Sequence, residues 1–494
     1  MQKKKKTPSS NVNFQNHSDL AVIILAAGIG KRMKSSLPKV LHSVCGEPML
    51  HHLFDRLREL QIHKNLKVHV GLVVGHGREQ VENSIRLYVK KYLINVEFIH
   101  QAEQLGTGHA ARCAMDSAWG ARIVKAGWPV LVMPGDTPLI STEMLESLTM
   151  PLSKTTPIRV LTTQMENPTG YGRIIRSSSK QAAKVQKIVE EKDANQAQRN
   201  IKEVAVSTYL FQSDFLVKGL QKLSNGNAQR EYYLTDLVEQ AKGKSEAYCW
   251  SKSEDLRGVN DLWELSQVHA ILNRRTVEKW ARAGVKFLNP ESVQIGVNVE
   301  IGVGSLVYPG AILEGETKIA ENVTLGSNVF LRDMKIGAGS NIKTGCYCEN
   351  SLVGESVQLG PYAHLRPESQ VSDRVKIGNF VELKKSRIGK DSSVAHLSYL
   401  GDAEVGERVN IGCGFITCNF DGRVIEGQRK HRTLIEDDVF MGSDCQTVAP
   451  VKIGRGSYVA SGSTITDNVE PESLAIARAR QVTKIGYVKK LKQS

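Results

Sequence analysis

The sequence lacks the features of a membrane protein or an exported protein. No apolar run reaches the length of a membrane span, and the first residues lack the apolar segment of a signal peptide. The eight cysteines are scattered and show no zinc-binding spacing. Cysteines used in this way suit a reducing compartment. We therefore expect a cytoplasmic protein that does not insert into a membrane.

Acidic residues are fewer than basic residues, and the net charge is +14. Much of the excess lies at the two ends of the chain, in the lysine-rich segments 3–6 and 484–492. Basic tails are usually solvated and disordered, and they are a weak indication of nucleic-acid binding. We therefore expect residues 1–19 to form a disordered basic tail, and we expect no nucleic-acid partner.

Two familiar phosphate-binding glycine patterns are also missing. Residues 21–33, AVIILAAGIGKRM, are an apolar run followed by a turn of small residues, but the glycine spacing fits neither GxGxxG nor GxxxxGK[ST]. A strand that ends in a glycine turn and opens a helix nevertheless points backbone N–H groups at an anion. The alternative is an ordinary strand-to-helix turn with two surface cations, Lys31 and Arg32.

The first half of the sequence has the pattern of an α/β domain. Apolar runs typical of strands alternate with helical stretches such as 49–60, which predicts a mostly parallel sheet. Such sheets bind ligands at the carboxyl ends of their strands, where the small-residue turn falls. The run PVLVM is followed by Pro134, Gly135 and Asp136, and a carboxylate at this point is well placed to hold Mg²⁺ against phosphate oxygens.

The second half is dominated by a six-residue repeat. From Ile295, an aliphatic residue opens successive hexads, as in IGVNVE, IGVGSL, VYPGAI, LEGETK, IAENVT and LGSNVF, and the pattern continues to Glu470. This repeat predicts a parallel β-helix, in which the aliphatic residues point inwards and stacked coils bury a continuous core. One basic segment, between Asp421 and Thr433, interrupts the repeat, and loops that interrupt a solenoid often carry its function.

Motifs in both halves resemble one bacterial enzyme family. Those of the first half are LAAGIGKRMKSSLPKVLH, HQAEQLGTGHA, NPTGYGRI, IVEEKDA, EYYLTDL and GVNDL. Those of the second half are IGNFVELKKSRIG, HLSYLGDAEVG and NIGCGFITCNFDG. In this order they resemble the bifunctional N-acetylglucosamine-1-phosphate uridylyltransferase/glucosamine-1-phosphate N-acetyltransferase family. The match covers nearly the whole chain from Leu20.

The resemblance implies a Rossmann-like α/β nucleotidyltransferase domain followed by a left-handed parallel β-helix. The domains expected are the basic tail over 1–19, a pyrophosphorylase domain over 20–262, a linker helix over 263–283 and the acetyltransferase β-helix over 284–494. An amphipathic connecting helix is also predicted by the helical spacing of Leu262, Leu265, His269 and Leu272.

The resemblance also implies two reactions. On the β-helix, acetyl-CoA acetylates glucosamine-1-phosphate. In the first domain, the phosphate of the product attacks the α-phosphorus of UTP, which releases pyrophosphate and forms UDP-N-acetylglucosamine. Mg²⁺ is the implied metal ion, and a homotrimer with acetyl sites between neighbouring β-helices is the implied assembly.

Several residues of the first half are implied in uridylyl transfer. Arg32 and Lys39 would be catalytic cations that neutralise the triphosphate, and Asp136 and Asn260 would hold Mg²⁺. The residues implied to bind nucleotide or sugar phosphate are Leu25, Ala26, Ala27, Gly28, Lys39, Gln101, Gly106, Thr107, Gly135, Asp136, Gly172, Glu190, Ala205 and Asn260.

Two positions of this half depart from the family pattern. Pro134 stands where the family commonly has tyrosine. The family sequence EINTG is replaced by EVAVS at 203–207, so that Ala205 stands where asparagine donates to the sugar. An alanine side chain forms no hydrogen bond, and a site that lacks a polar partner discriminates less strongly between substrates. We therefore expect the reaction class of this half to be kept, and these departures bear on its sugar preference or its rate.

In the acetyltransferase half, His396 is implied to be the general base, because an amine attacks a thioester only as the free base. Arg366 and Lys384 would bind the sugar phosphate, Tyr399 and Asn410 would position the sugar, and Glu382 would help to hold the ammonium group. The residues implied along the coenzyme are Cys413, Asn419, Phe420, Ser443, Ser461 and Arg478. The family commonly has Ala, Tyr and Ala at positions 413, 420 and 461, and its loop after Asp421 is shorter.

The sequence leaves three other interpretations open. One is a nucleotidyltransferase for another sugar phosphate with a structural or regulatory β-helix. Another is a metal-dependent enzyme similar to γ-class carbonic anhydrases, which needs histidines such as His364, His396 and His431 to converge between subunits. The third is a non-catalytic assembly subunit similar to those of translation-factor exchange complexes. The presence of Lys39, Asp136, Asn260 and HLSYLG favours the bifunctional enzyme.

Overall fold

The computed structural model describes residues 19–92, 94–178, 184–422, 424 and 427–492. The basic tail predicted over 1–19 lies outside these residues, apart from Asp19. The chain divides into two compact units, a first unit over Met1–Ala270 and a second unit over Ile271–Ser494. Among the described residues, no helix is both long enough and apolar enough to cross a membrane.

In the described part of the first unit, nine strands form one mixed sheet. The strands are β1 (Asp19–Ala26), β2 (Lys67–Val74), β3 (Asn95–His100), β4 (Val130–Pro134), β5 (Ile158–Gln164), β6 (Gly172–Arg176), β7 (Val185–Val189), β8 (Glu203–Phe211) and β9 (Ser245–Trp250). Their order across the sheet is β3-β2-β1-β4-β8-β5-β9-β7-β6. Strands β1 to β4 are parallel, which confirms the predicted α/β class, whereas β8 is antiparallel to β4 and β5. A separate hairpin pairs Ser43–Val44 with Glu47–Pro48.

The central strand β1 is apolar at nearly every position because both faces of the sheet are covered. Leu20, Val22 and Ile24 belong to the core on one face, and Ala21 and Ile23 belong to the core on the other. Successive side chains of a strand point to opposite faces, so a strand buried on both sides needs a continuous apolar run. This is why the sequence shows an unbroken run here and not an alternating one.

Helices complete both faces of this core. Leu50, Leu53 and Phe54 of one helix pack in the core on the face of Val22. Ala110 and Ala111 of another helix pack in the core on the face of Ile23. The α-helices of the described chain are Met49–Lys64, Arg78–Tyr92, Thr107–Met115, Ala118–Ala126, Thr142–Leu148, Gln196–Arg199, Ser213–Leu220, Asp236–Gln240, Leu262–Arg282 and Tyr487–Leu491. Short 3₁₀ turns span Lys31–Met33, Lys39–Leu41, Ser253–Leu256 and Pro290–Ser292.

The second unit is a parallel β-helix whose described strands form three sheets. The first sheet contains Lys286–Phe287, Leu306–Val307, Thr324–Leu325, Asn341–Ile342, Gln358–Leu359, Lys376–Asn379, Ser393–His396, Asn410–Ile411, Phe440–Met441, Tyr458–Val459 and Leu474–Ala475. The second contains Gln294–Ile295, Ile312–Glu314, Phe330–Arg332, Tyr347–Glu349, His364–Leu365, Glu382–Lys384, Tyr399–Gly401, Ile416–Cys418, Gln446–Val448 and Thr464–Ile465. The third contains Glu300–Ile301, Lys318–Ile319, Lys335–Ile336, Leu352–Val353, Gln370–Val371, Arg387–Ile388, Ala403–Val405, Thr433–Ile435 and Val451–Ile453.

The predicted repeat is the source of the β-helix core. The aliphatic residues of successive coils pair in register, as Ile377, Val394, Ile411 and Met441 do, and all of them are buried. One apolar cluster runs through the unit from Val277 to Ile465. The hexapeptide period therefore predicted both the architecture and the inward-facing positions, consistent with the left-handed parallel β-helix that we expected.

One corner of the β-helix carries a ladder of alternating charges, which we call the charged ladder (Arg374, Asp391, Arg408, Asp438 and Arg455). The guanidinium of Arg374 lies 2.7 Å from the Asp391 carboxylate, and that of Arg408 lies 2.7 Å from the Asp438 carboxylate. Arg455 contacts Asp438 from the next coil at 3.4 Å. The ladder therefore joins consecutive coils by ion pairs at the surface.

The helix Leu262–Arg282 contains the division between the two units. In the first unit, the backbone N–H of Cys45 donates to Nδ1 of His269 over 3.2 Å. In the second unit, the side chain of Asn273 donates to the carbonyl of Val293 and accepts from the N–H of Ile295. His269 and Asn273, on either side of the division, are thus each hydrogen-bonded within their own unit.

Candidate active sites

A cavity of about 880 Å³ lies at the carboxyl ends of β1 and β4 in the first unit. Most residues assigned to uridylyl transfer line it, namely Leu25, Ala27, Gly28, Arg32, Gln101, Gly106, Thr107, Asp136, Gly172, Glu190, Ala205 and Asn260. Ala26 is buried at the end of β1, and Lys39 lies beside Asp136. The N–H of Gly135 donates to the carbonyl of Leu25 over 2.9 Å, which ties the ends of β1 and β4 together.

The loop after β1 does not open an α-helix, so the expectation of a helix N-terminus at this turn is wrong. A single 3₁₀ turn, Lys31–Met33, follows the glycines and is flanked by Gly30 and Lys34, both at positive φ. Two left-handed residues this close together stop a helix from extending. Gly30 is required here, because a Cβ atom at this position would lie 2.9 Å from Cβ of Lys39. The N–H groups that this loop offers to an anion would therefore be those of a turn.

Lys39, Asp136 and Asn260 form one polar cluster at the edge of the cavity. The ammonium group of Lys39 contacts the carboxylate of Asp136 and donates to the side-chain oxygen of Asn260 over 3.4 Å. A cation thus lies against the two side chains that were expected to hold Mg²⁺. Carboxylate and amide oxygens are ligands suited to this ion, so the donor set fits it.

The start of the helix Leu262–Arg282 fixes the backbone of Asn260. The carboxylate of Asp261 accepts a hydrogen bond from the N–H of Glu264 over 2.9 Å, and the carboxylate of Glu264 accepts one from the N–H of Asn260 over 2.6 Å. Glu264 also lines the cavity, and the sequence reasoning missed it. The pattern D-x-x-E at 261–264 is a helix-capping signal that identifies it.

The other end of the cavity contains Glu190, the predicted sugar contact. Burial raises the pKa of its carboxyl group above the usual value, and Thr235 donates a hydrogen bond to it over 3.1 Å. The neighbouring strand contains buried Arg173, which pairs with Glu191 over 2.6 Å and so joins the ends of β6 and β7. Thr235 lines the cavity too, and its motif, EYYLTDL, was the signal for it.

In the second unit, His396 lies beside Asn379 on the adjacent coil. The distance from Nδ1 of His396 to the side-chain oxygen of Asn379 is 2.7 Å. An amide oxygen only accepts hydrogen bonds, so Nδ1 carries the proton and Nε2 keeps its lone pair. The imidazole is exposed and is therefore free to receive a proton from a ligand. Sequence reasoning had identified the histidine but not its amide partner.

The residues assigned to the amino sugar lie on coils close to His396. The guanidinium of Arg366 lies 3.0 Å from the carboxylate of Glu382, which is paired in register with Tyr399. Lys384 is paired with Gly401 in the same two strands. Gly401 leaves room for other side chains, because a Cβ atom there would lie 2.4 Å from Oη of Tyr399 and 2.6 Å from Nδ2 of Asn419. Burial raises the pKa of Tyr399.

Three of the residues assigned to the coenzyme, Cys413, Ser443 and Ser461, occupy equivalent positions on successive coils. Each lies two residues after a buried core residue, and these core residues, Ile411, Met441 and Val459, pair in register. All three assigned residues are exposed. A guanidinium nitrogen of Arg478 donates to the carbonyl of Ser461 over 2.8 Å. Together they form a strip along the axis of the β-helix.

The remaining assigned residues lie shortly before and after Cys413 in the chain. Asn410 is exposed on the first sheet, and the buried Asn419 donates to Asp402 over 2.5 Å. The ring of Phe420 is exposed, with the ammonium of Lys430 4.1 Å from its centroid. Part of the longer loop after Asp421, at 423 and 425–426, lies outside the described residues.

The histidines of the second unit have different surroundings. His364 packs its ring edge against Tyr347, and His431 is buried 3.8 Å from the carboxylate of Asp421. Across the described parts of this single chain, no group of three or more His, Cys, Asp or Glu side chains is placed to hold a metal ion.

Known proteins resemble this chain over nearly its whole length. Residues 22–202 match the MobA-like NTP transferase domain family. The chain is 43% identical to the bifunctional protein GlmU of Halalkalibacterium halodurans, over 96% of this chain and 99% of that protein. The bifunctional protein GlmU of Geobacillus sp. is 43% identical over 95% of this chain and 97% of its own. That of Listeria monocytogenes is 42% identical over 96% and 98%. The structure of a UDP-glucose pyrophosphorylase in complex with UDP-glucose is similar over 52% of this chain and 98% of its own, at 17% sequence identity and a TM-score of 0.40.

Proposed function

The chain belongs to the family of bifunctional GlmU proteins and is a bifunctional transferase, and we propose which reaction each of its two units catalyses. The first unit transfers the uridylyl group of UTP to N-acetylglucosamine-1-phosphate. The second unit transfers the acetyl group of acetyl-CoA to glucosamine-1-phosphate. The observation that carries the proposal is the convergence of distant residues, such as Leu25, Gln101, Glu190 and Asn260, on one cavity.

In the uridylyl reaction, an oxygen of the sugar phosphate forms a bond to the α-phosphorus of UTP, and the bond from that phosphorus to pyrophosphate breaks. Charge accumulates on phosphate oxygens, so the site needs positive charge and N–H donors, and no side-chain nucleophile. Arg32 and the loop at Gly28 line the cavity where the triphosphate would lie. Glu190, at the other end, would accept hydrogen bonds from sugar hydroxyl groups.

Asp136 and Asn260 are the residues that would hold Mg²⁺. Both present oxygen atoms to the ammonium group of Lys39, so their present surroundings already suit a cation. When bound, Mg²⁺ would neutralise and orient phosphate oxygens. Lys39 would then turn from Asp136 towards the triphosphate, and the capping contacts of Glu264 would keep Asn260 in place.

In the acetyl reaction, the amine of glucosamine-1-phosphate forms a bond to the thioester carbon, and the bond from that carbon to the coenzyme sulfur breaks. Nε2 of His396 would take the proton of the amine, because Asn379 holds the ring with its proton on Nδ1. Arg366 and Lys384 would bind the sugar phosphate. Since Arg366 is paired with Glu382 in the free protein, binding of phosphate would release this carboxylate to hold the ammonium group.

We further propose that the protein is a cytoplasmic homotrimer. Tyr362, Phe380 and Leu397 form an exposed apolar ridge on successive coils, with 53%, 57% and 58% of each residue exposed. The rings of Tyr362 and Phe380 stack at 5.6 Å, and Leu397 follows His396 directly. An apolar surface of this kind suits burial against a second copy of the chain. The cytoplasm supplies both UTP and acetyl-CoA and keeps thiols reduced.

A single assay tests the division of function. The full chain is mixed with glucosamine-1-phosphate, acetyl-CoA, UTP and Mg²⁺, and the release of coenzyme thiol and of pyrophosphate is followed separately. We expect thiol release without UTP, and pyrophosphate release only when N-acetylglucosamine-1-phosphate is formed or supplied. Thiol release without any pyrophosphate would contradict the assignment of the first unit, and the reverse result would contradict that of the second.

A further inference from the structure

Strand β8 has one residue that differs from all the others. Eight of its nine residues are buried, and Ser207 alone is exposed. Its φ angle is +53°, in the left-handed region that residues other than glycine, asparagine and aspartate rarely adopt. Non-glycine residues held in this conformation occur preferentially at functional sites.

The unusual conformation belongs to a bulge that turns Ser207 to the cavity. The pairing of β8 with β5 shifts register between Ala205 and Tyr209, and such bulges redirect side chains near active sites. Ser207 lines the same cavity as Gly172, Glu190 and Thr235. No hydrogen bond joins its hydroxyl group to another of the residues that the structure describes.

The two residues before Ser207 are apolar. Ala205 and Val206 also line the cavity and are almost completely buried. Neither side chain forms a hydrogen bond. Within residues 205–207, the cavity wall therefore has one polar side chain, the hydroxyl group of Ser207.

We infer that Ser207 binds the sugar in the uridylyl site, its hydroxyl group forming the hydrogen bond to the sugar that the side chain of Ala205 is unable to form. This inference rests on the proposed function. A hydroxyl group both donates and accepts, so it bonds a sugar hydroxyl as readily as an acetamido group. The site should therefore accept sugar 1-phosphates of both kinds and discriminate only weakly between them.

Three variants of the full chain test the role of the hydroxyl group. Ser207→Ala removes the hydroxyl group and keeps a side chain at positive φ. Ser207→Gly removes the hydroxyl group and the strain of a side chain at positive φ. Ser207→Asn keeps a polar group on a residue that tolerates this conformation. The KM values for UTP, N-acetylglucosamine-1-phosphate and glucose-1-phosphate are measured from pyrophosphate release. We expect the alanine and glycine variants to raise both sugar-phosphate KM values about five- to tenfold, with the KM for UTP within twofold. The asparagine variant and the control Ser147→Ala should stay near wild type.

A purely conformational role gives a different result. The glycine variant would then bind sugar phosphate as well as the wild type does, and the alanine variant would lose stability with no selective effect on the sugar. Either observation would overturn the inference. Ala205→Asn in the Ser207→Ala background should recover sugar binding if the two positions reach the same group.

Binding of the product separates this inference from the proposed function. Calorimetry gives the affinity for UDP-N-acetylglucosamine and for UDP without any turnover. If Ser207 bonds the sugar, its alanine variant weakens binding of the sugar nucleotide and leaves UDP binding unchanged. If the variant binds the sugar nucleotide more weakly than the wild type but the wild type releases no pyrophosphate, the proposed function alone is contradicted. If wild type and variant bind the sugar nucleotide with equal affinity, the role of Ser207 alone is contradicted.

Discussion

Nδ1 of His396 lies 2.7 Å from the side-chain oxygen of Asn379, its register partner on the adjacent coil of the β-helix. The amide fixes which nitrogen carries the proton and leaves Nε2 available as a base. A histidine with a purely structural role would be buried or would use both nitrogens within the protein. His396 is exposed, and this arrangement gives sharp expectations for both residues.

His396→Ala should stop acetyl transfer and leave uridylyl transfer unchanged. Loss of a general base typically slows a reaction about 10²- to 10⁴-fold. Both half-reactions and the melting temperature should be measured for the variant and the wild type. Acetylation within a few-fold of wild type, or a joint fall of both activities and of stability, would exclude a catalytic role.

Asn379→Asp should shift the pH profile of acetylation. A carboxylate beside Nδ1 of His396 stabilises the protonated, imidazolium form of the ring. The limb of the rate profile that reports the free base should therefore move to higher pH. Asn379→Ala, which removes the partner without adding charge, is the matched control and should lower the rate without such an upward shift. An unchanged limb in the aspartate variant would show that this hydrogen bond does not affect the base.

Asp136→Ala should remove most uridylyl transfer and spare acetyl transfer, because it removes one of the two side chains that we propose to hold Mg²⁺. In Asp136→Asn, which keeps one oxygen but loses the charge, the Mg²⁺ concentration for half-maximal rate should rise about tenfold or more. Pyrophosphate release should be titrated with Mg²⁺ for both variants. Wild-type rates at wild-type Mg²⁺ in the alanine variant would show that the metal is held elsewhere.

Phe380→Glu should dissociate the proposed trimer and reduce acetyl transfer, because it places a charge in the middle of the apolar ridge of Tyr362, Phe380 and Leu397. The first unit should keep its uridylyl activity. Light scattering gives the mass, and the two half-reactions give the activities. The same substitution at an exposed aromatic residue away from the ridge, Tyr458→Glu, is the control. A variant that keeps both the wild-type mass and acetylation would rule out this surface as the interface.

Asp438→Asn should lower the stability of the second unit at neutral pH and low salt. Arg408 and Arg455 hold the pKa of the Asp438 carboxyl below its usual value. A carboxyl group with a lowered pKa stabilises the fold above its unfolded pKa of about 3.9, and this contribution is lost as the pH falls through the folded value. The difference in melting temperature between wild type and variant should therefore shrink towards pH 3 and in high salt. Asp444→Asn, also exposed and at positive φ, is the control. A difference that persists at low pH would contradict the role of charge.

The sequence predicted those parts of the molecule that depend on local pattern. The six-residue period set the β-helix and its inward positions, and the unbroken apolar run of β1 indicated a sheet covered on both faces. The antiparallel position of β8 between β4 and β5 left no local signal, because strand order depends on which edges meet in the folded chain. The contact of Lys39 with Asn260 joins residues 221 positions apart, and only the resemblance to a family had placed both residues in one site. The bulge at Ser207 depends on pairing with β5, so the identity of the residue alone did not reveal it.

The stacking of the β-helix has a consequence for how the unit opens. Each coil is hydrogen-bonded to the coils above and below it, so an interior coil exchanges its amide hydrogens only when both neighbours release it, whereas an end coil needs to break only one interface. The strand Leu474–Ala475 pairs with Tyr458–Val459 on one side only among the described residues. Amide exchange should therefore be fast at this end and slower towards the middle of the stack. Ser461 and Arg478 lie at the fast end, so a bound coenzyme should slow exchange there and hardly alter it around His396.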